Sequence, residues 1–356
     1  MTEPTATTPQ TDPTRFTRLE DKILGSLATA VIGDALGAPT ETRSISQIRA
    51  LFDGPVTEFH KPLPDSPYSK GRHAAQITDD SSQLLMLAEV FIRTGTAITS
   101  RDVADMILEW STNTDYFPHF AGPTTRRAVA ALKEGADPET IGAAGDEATT
   151  GASNGAAMRA GAAGLAHPGD VNGAVQAALI TARPSHFTSV GVAGAAAVAG
   201  AVAAALVDDA TVTDVVDAFL WAALEGERLG RELGREVPAP SVYERAKRAA
   251  EIAIVERDQD RLVTRIAAEI GTGLPAAEAV PAALGFFVAA AGDPWLTVQA
   301  AANGGDDTDT VACMAGSIAG AFSGFAAVPR DKYAQVLEAN PIDIADVAKR
   351  LYETVR

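Results

Sequence analysis

From Phe187 to Val207 the chain runs for 21 residues without a charge, and Ala, Gly and Val supply most of them. A stretch of that length can cross a bilayer. Its side chains are small and only weakly apolar, however, and Thr188 and Ser189 stand near its start. We expect instead a helix enclosed on all sides by other helices, at the centre of a soluble bundle. Such a helix constrains everything around it, because neighbours can approach it almost backbone to backbone. The wider composition agrees: 46% of residues are hydrophobic but only 6% are aromatic, so the core must be built from small residues on close-set helices.

The rest of the chain keeps the helical pattern. Candidate helices cover 19–35, 80–94, 101–110, 124–134, 154–165, 171–182, 187–207, 211–230, 241–269, 277–291, 295–302, 309–325, 331–338 and 342–355. Ser100 and Asp102 stand at the entrance of one, and Thr211 and Thr213 precede another. Gly271 and Gly273 end the long charged segment, and Pro281 is expected in the first turn of the next helix. No run alternates with period two, and Val56-Thr57-Glu58-Phe59 reads as loop. No Pro/Gly/Ser linker divides the chain, so a single all-α domain is expected over 18–356. Residues 1–17, rich in Thr and Pro, read as a disordered tail. The Pro-rich loop 53–77 is long for a compact domain, and long loops are often functional.

A net charge of −17 argues against a nucleic-acid partner and against a polybasic membrane anchor. It leaves room for an anionic small molecule held by a metal or a helix N-terminus. Cys313 is the one cysteine, which excludes an intrachain disulfide and a Cys-based zinc site. With no basic, apolar leader in view, a cytoplasmic location is expected, and nothing demands more than a monomer.

Two acidic clusters carry the chemistry: Thr78-Asp79-Asp80, and Asp306-Asp307-Thr308-Asp309-Thr310. Each precedes a helical run, where acids and hydroxyls serve as caps. One cap needs one such residue, whereas each cluster supplies several. Crowded carboxylates resist ionising together unless a cation or a shared proton relieves them. Oxygen-only ligands of this kind suit Mg²⁺ or Mn²⁺. If the fold joins the clusters they form a metal site; if it does not, they are helix caps. Three further segments stand out. Gly33-Asp34-Ala35-Leu36-Gly37 ends a helix just before Glu41, with Asp34 isolated among apolar residues. Gly151-Ala152-Ser153-Asn154-Gly155-Ala156-Ala157-Met158-Arg159 is a glycine-rich helix entrance with backbone donors for a phosphate. Ser185-His186 precedes the uncharged helix.

In this order the five segments resemble the ADP-ribosylglycohydrolase family, whose pattern runs G-D-x-L-G-x-x-x-E, T-D-D-T, N-G-x-x-M-R, [ST]-H and G-D-x-D-T. The resemblance spans about residues 19–330. It implies an all-α fold with a central cleft holding two Mg²⁺ or Mn²⁺ ions, and removal of ADP-ribose from a modified acceptor. It implies Thr78, Asp79, Asp80, Asp307, Asp309 and Thr310 as metal ligands. Glu41, Asp79, Asp80 and Asp307 then fall to the catalytic centre, with either Glu41 or an Asp as the acid/base. Asp34, Gly151, Ser153, Asn154, Gly155, Met158, Arg159, His186 and Asp306 fall to the ADP-ribose cleft. Two positions depart from the pattern: Ser81 stands where threonine is usual, and Asp306 where glycine is usual. Asp306 adds a carboxylate that bears on metal preference and on the fit of the distal ribose.

Overall fold

The computed structural model describes residues 17–356. The expected tail therefore lies outside the described residues except for Thr17, whose amide and hydroxyl both donate to Asp208. Among the described residues seventeen α-helices follow one another: α1 Leu19–Gly37, α2 Ile45–Leu51, α3 Asp79–Thr94, α4 Ser100–Trp110, α5 Phe117–Phe120, α6 Pro123–Lys133, α7 Gly161–Leu165, α8 Val171–Ala182, α9 Ser189–Ala205, α10 Val212–Leu233, α11 Val242–Val255, α12 Gln259–Glu269, α13 Ala276–Ala289, α14 Pro294–Ala302, α15 Thr308–Ser323, α16 Arg330–Ala339 and α17 Ile344–Val355. Among the described residues β structure is limited to isolated bridges. The fold is all-α and forms one domain around one continuous hydrophobic core.

The uncharged run becomes α9, buried along nearly its whole length between α7, α8, α10, α13 and α15. No helix among the described residues is long and apolar enough to cross a membrane. The C-terminal carbonyls of α9 are met by a buried lysine: Lys22 Nζ donates to Ala205 O at 2.8 Å and to Val207 O at 2.7 Å. Burial lowers the Lys22 pKa to about 8.

The close approach expected from small residues is most marked between α1 and α15. A Cβ on Gly33 would lie 2.3 Å from Ala312 O, one on Gly37 2.5 Å from Asp309 Cα, and one on Gly320 2.1 Å from Gly25 O. None of these distances is tolerable for a side chain, so the two backbones touch through glycine. Thr308 Oγ1 also donates to Gly37 O at 3.0 Å, joining the end of α1 to the start of α15.

Several expected boundaries shift for local reasons. The segment 241–269 is two helices, because Asp258 accepts from Arg261 N and caps a new start after an extended Glu256. The expected helix 154–165 is a single 3₁₀ turn at Asn154–Ala156 followed by the short α7. Pro281 lies inside α13 rather than in its first turn. Its missing N–H would have bonded Ala277 O, and Arg245 Nη1 takes that carbonyl instead at 3.1 Å. Thr99, with Asp102, caps α4 in place of Ser100. Helix α2 was not anticipated, although Ser44 and Gln47 form a capping box at its entrance.

Candidate metal centre and cleft

The glycine contact between α1 and α15 sets Asp34 against the N-terminal end of α15, and Asp34 in turn receives α3. Its carboxylate accepts from Thr78 N and Ser81 N, each at 3.0 Å, so a side chain of α1 completes the cap of α3. Thr78 Oγ1 donates to Asp80 Oδ2 at 2.9 Å. The two acidic clusters of the sequence thereby meet through a third carboxylate lying between them.

The carboxylates form two groups. Asp34, Asp80 and Asp309 bring oxygen atoms within 4.8 Å of one another, and so do Glu41, Asp307 and Asp309. Asp309 belongs to both, which gives two adjoining oxygen-lined positions sharing one acid. Asp79 stands outside both groups but lines the cleft above them, as do Thr310 and Asp306. Asp34, assigned to the cleft by resemblance, sits beneath it in the first group and is absent from the lining.

Charge in this arrangement is unbalanced. Burial, first of all, pushes the carboxyls of Glu41, Asp79, Asp80 and Asp309 well above their ordinary range, and neighbouring carboxylates push them further. Asp34 and Asp307 are raised by burial against the opposing effect of their hydrogen bonds. Asp80 Oδ1 and Glu41 Oε2 are buried with no hydrogen-bond partner. Orphaned carboxylate oxygens on a crowded, all-oxygen donor set are what a hard cation satisfies, so these residues fit a divalent metal.

Above the acids opens a cavity of about 130 Å³. Its lining has an acidic part, Glu41, Asp79, Asp306, Asp307 and Asp309 with Thr310, and an uncharged part, Ser153, Asn154, Gly155 and Met158. Asn154 ties the two parts, with Nδ2 donating to Asp307 Oδ2 at 2.6 Å. Tyr68 of loop 53–77 and Phe120, Gly122, Thr124 and Thr125 belong to the same lining. Arg72 joins these loops: its guanidinium lies 5.2 Å from the Tyr116 ring centre and 5.3 Å from that of Phe120. Tyr68, Phe120 and Leu274 carry no motif and had no signal in the sequence beyond the length of their loops.

Three expected cleft residues stand behind the wall. Gly151 is buried, donating its N–H to Thr124 Oγ1 and accepting from Thr188 Oγ1. Arg159 is fully buried, and burial lowers its pKa to about 10. His186 is buried too, and burial, then Arg159 and Arg127, lowers its pKa to about 3. Asp306 is exposed at the rim with φ of 61°, its backbone held by Arg43 O and Thr42 N. A wider groove, lined by Thr42, Arg43, Glu278 and Asp306 among others, runs on from that rim.

Comparison with known proteins gives the family. The profile of the ADP-ribosylglycohydrolase family matches residues 15–356. An uncharacterised protein of Archaeoglobus fulgidus is 30% identical over 338 residues, 94% of this chain and 97% of its own. The uncharacterised Escherichia coli protein YegU is 28% identical, over 93% of this chain and 96% of its own. Bovine ADP-ribosylhydrolase ARH3 is 29% identical, with 86% of each chain covered. A solved structure described as an ADP-ribosylglycohydrolase-related protein complex shares the fold, with a TM-score of 0.67 at 24% identity over 95% of this chain and 99% of that one. Fold, acid pattern and family profile converge: the chain belongs to the ADP-ribosylglycohydrolase family.

Proposed function

We propose that this protein hydrolyses the glycosidic bond joining ADP-ribose to a modified acceptor, using two Mg²⁺ or Mn²⁺ ions. The observation that carries the reading is the pair of acidic groups sharing Asp309 at a cleft whose lining also offers uncharged donors. Asp34, Asp80 and Asp309 would hold one ion and Glu41, Asp307 and Asp309 the other, with Thr78, Asp79 and Thr310 beside them. Bound there, the ions would neutralise the crowded acids and supply Lewis acidity at the reacting end of the substrate.

The chain's own residues do the rest. The bond from the anomeric carbon of the distal ribose to the acceptor atom breaks, and a water oxygen replaces the acceptor. The leaving atom needs a proton. Of the acids that line the cleft, Asp79 stands outside both ion-holding groups, so its carboxyl is the one free to give it. Positive charge developing on the ribose ring is stabilised by the remaining carboxylates. The diphosphate cannot lie on the acidic side, so it is assigned to Ser153, Asn154 and Gly155. The acceptor then leaves past Asp306 and the groove beyond it.

The test is incubation with Mg²⁺ or Mn²⁺ and ADP-ribosylated arginine, serine or thymidine conjugates, following free ADP-ribose. Release that Asp307→Ala and Asp309→Ala abolish supports the reading. Tight ADP-ribose binding without release from any conjugate would make the protein a binding member of its family, and release of a ribosyl group from other glycosides alone would move the substrate class.

A further inference from the structure

Behind the donor wall lies a hydrogen-bonded chain that no carboxylate completes. Arg159, with no measurable exposure, donates from Nη1 to Gly155 O at 2.7 Å and Gln83 Oε1 at 2.9 Å, and from Nη2 to Ser185 Oγ at 2.8 Å and Thr181 O at 3.4 Å. Among the described residues none of its hydrogen bonds goes to an acid. A buried guanidinium left without a carboxylate is costly, so its position calls for an explanation. From Ser185 Oγ the chain continues to His186 Nδ1 at 2.9 Å, and from His186 Nε2 to Ser153 Oγ, also at 2.9 Å. Ser153 lines the cleft; Arg159 and His186 do not.

The direction of every bond in this chain follows from chemistry. Arginine can only donate, so Ser185 Oγ accepts from it. Ser185 is fully buried, and its hydroxyl has a single other neighbour, His186 Nδ1. Unless its proton goes there, a buried hydroxyl donor is left unmade, which costs about 1–3 kcal/mol. Nδ1 is then an acceptor, and a neutral imidazole must carry its proton on Nε2. Burial and the two nearby arginines keep the ring neutral, with a pKa near 3. Nε2–H donates to Ser153 Oγ, and the Ser153 proton has no protein acceptor left. The antiparallel bridge of Ser153 with Pro275 is made by Ala152 O and Asn154 N, so it also leaves the Ser153 amide unused.

We propose that Arg159 and Ser185 are positioning residues that lock His186 in its Nε2–H form, leaving the Ser153 hydroxyl as a fixed donor to an anionic oxygen of the substrate. Resting on the reading of the cleft as an ADP-ribose site, it assigns the diphosphate as that anion. It explains why an arginine is buried behind an anion subsite: its N–H polarity reaches the ligand through two hydroxyls and an imidazole, while the cleft keeps a neutral surface.

Two measurements test it. The first needs no ligand: nitrogen-15 NMR of the histidine-labelled full-length protein, with His186 assigned from His186→Gln. We expect a neutral ring protonated on Nε2; a ring protonated on Nδ1, or an imidazolium at neutral pH, overturns the relay. The second is a double-mutant cycle on ADP-ribose binding by calorimetry. Ser153→Ala is expected to weaken binding roughly tenfold to a hundredfold, as for a hydrogen bond to a charged group. Ser185→Ala, which touches no ligand, is expected to weaken it by a similar factor, with KM raised and kcat kept. The double variant should bind no worse than Ser153→Ala alone. Losses that multiply in the double variant would show Ser185 acting only on the stability of the wall, and would overturn the proposal. If the wild-type chain binds no ADP-ribose, the proposed function fails and takes this role of Ser153 with it, whereas the tautomer still reports on the relay by itself.

Discussion

Asp306 is, with Ser81, one of the two residues that depart from the family pattern, and its conformation has a cost. A residue with a Cβ at φ of 61° is disfavoured by roughly 1 kcal/mol, less for aspartate than for most. Among the described residues its carboxylate makes no hydrogen bond that would offset the strain. Asp306→Gly should therefore raise stability by about 0.5–1 kcal/mol, read from the midpoint of denaturant unfolding. On activity we expect the opposite sign for one class of substrate. A rim carboxylate attracts a cationic acceptor, so the variant should lose rate on arginine conjugates relative to serine conjugates by a few-fold. Equal effects on both conjugates would remove Asp306 from acceptor choice. The individual acids were legible as a set, because crowding several carboxylates at a helix entrance exceeds what capping requires. Their grouping was not. Nothing in the order of residues tells that Asp34 falls beneath the cleft with Asp80 and Asp309 while Asp79 faces its interior. That depends on how α1 lies on α15.

Between elements, it is the glycine seam of α1 and α15 that holds the site together. Gly37→Ala would place a methyl 2.5 Å from Asp309 Cα, against backbone that cannot rotate away. Overpacking of this kind costs about 1–3 kcal/mol, and the higher helix propensity of alanine recovers about 1 kcal/mol at most. We expect a net loss of stability together with a larger loss of metal affinity, since the variant separates Asp34 and Glu41 from Asp309. Gly122→Ala, where the added Cβ meets nothing within 4 Å, is the control and should unfold at the same midpoint. Unchanged metal binding in Gly37→Ala would mean that the seam does not set the spacing of the acids. Helix content was legible from small-residue runs and caps, but two errors have one physical cause. The segment 256–258 and the segment 157–160 consist of residues that helices accept, and they leave the helix because side-chain hydrogen bonds, a local cap in the first and tertiary partners in the second, offer more. Asp258 caps a fresh start, and Arg159 turns inward to Gln83, Thr181 and Ser185. Propensity cannot see such partners.

Across the whole molecule, stability and metal binding are linked through protons. Unfolded, Glu41 and the aspartates have ordinary carboxyl values; folded and without metal, the buried acids hold protons to higher pH. The folded chain then binds more protons than the unfolded one, so stability of the metal-free protein falls as pH rises above the ordinary carboxyl range and through the raised folded values. A divalent ion reverses the trend, because it binds the deprotonated set and binds it better as pH rises. Unfolding midpoints in EDTA should be lower at pH 8 than at pH 5, and the stabilisation given by Mg²⁺ or Mn²⁺ should be larger at pH 8. A midpoint in EDTA that rises over this range, or a metal effect independent of pH, would contradict the protonated acid cluster.

The seam between α1 and α15 also says something about how the protein comes into being. Asp34 and Glu41 leave the ribosome some 270 residues ahead of Asp307 and Asp309. Until then the first helix has no α15 to lie against, and neither acidic group can be completed. The nascent chain therefore carries its early acids unpaired over that whole span, an exposure typical of folds rich in distant contacts. Capture of a divalent cation would then report that synthesis has passed α15: a product cut short before it can neither bury α1 nor bring the acidic groups together.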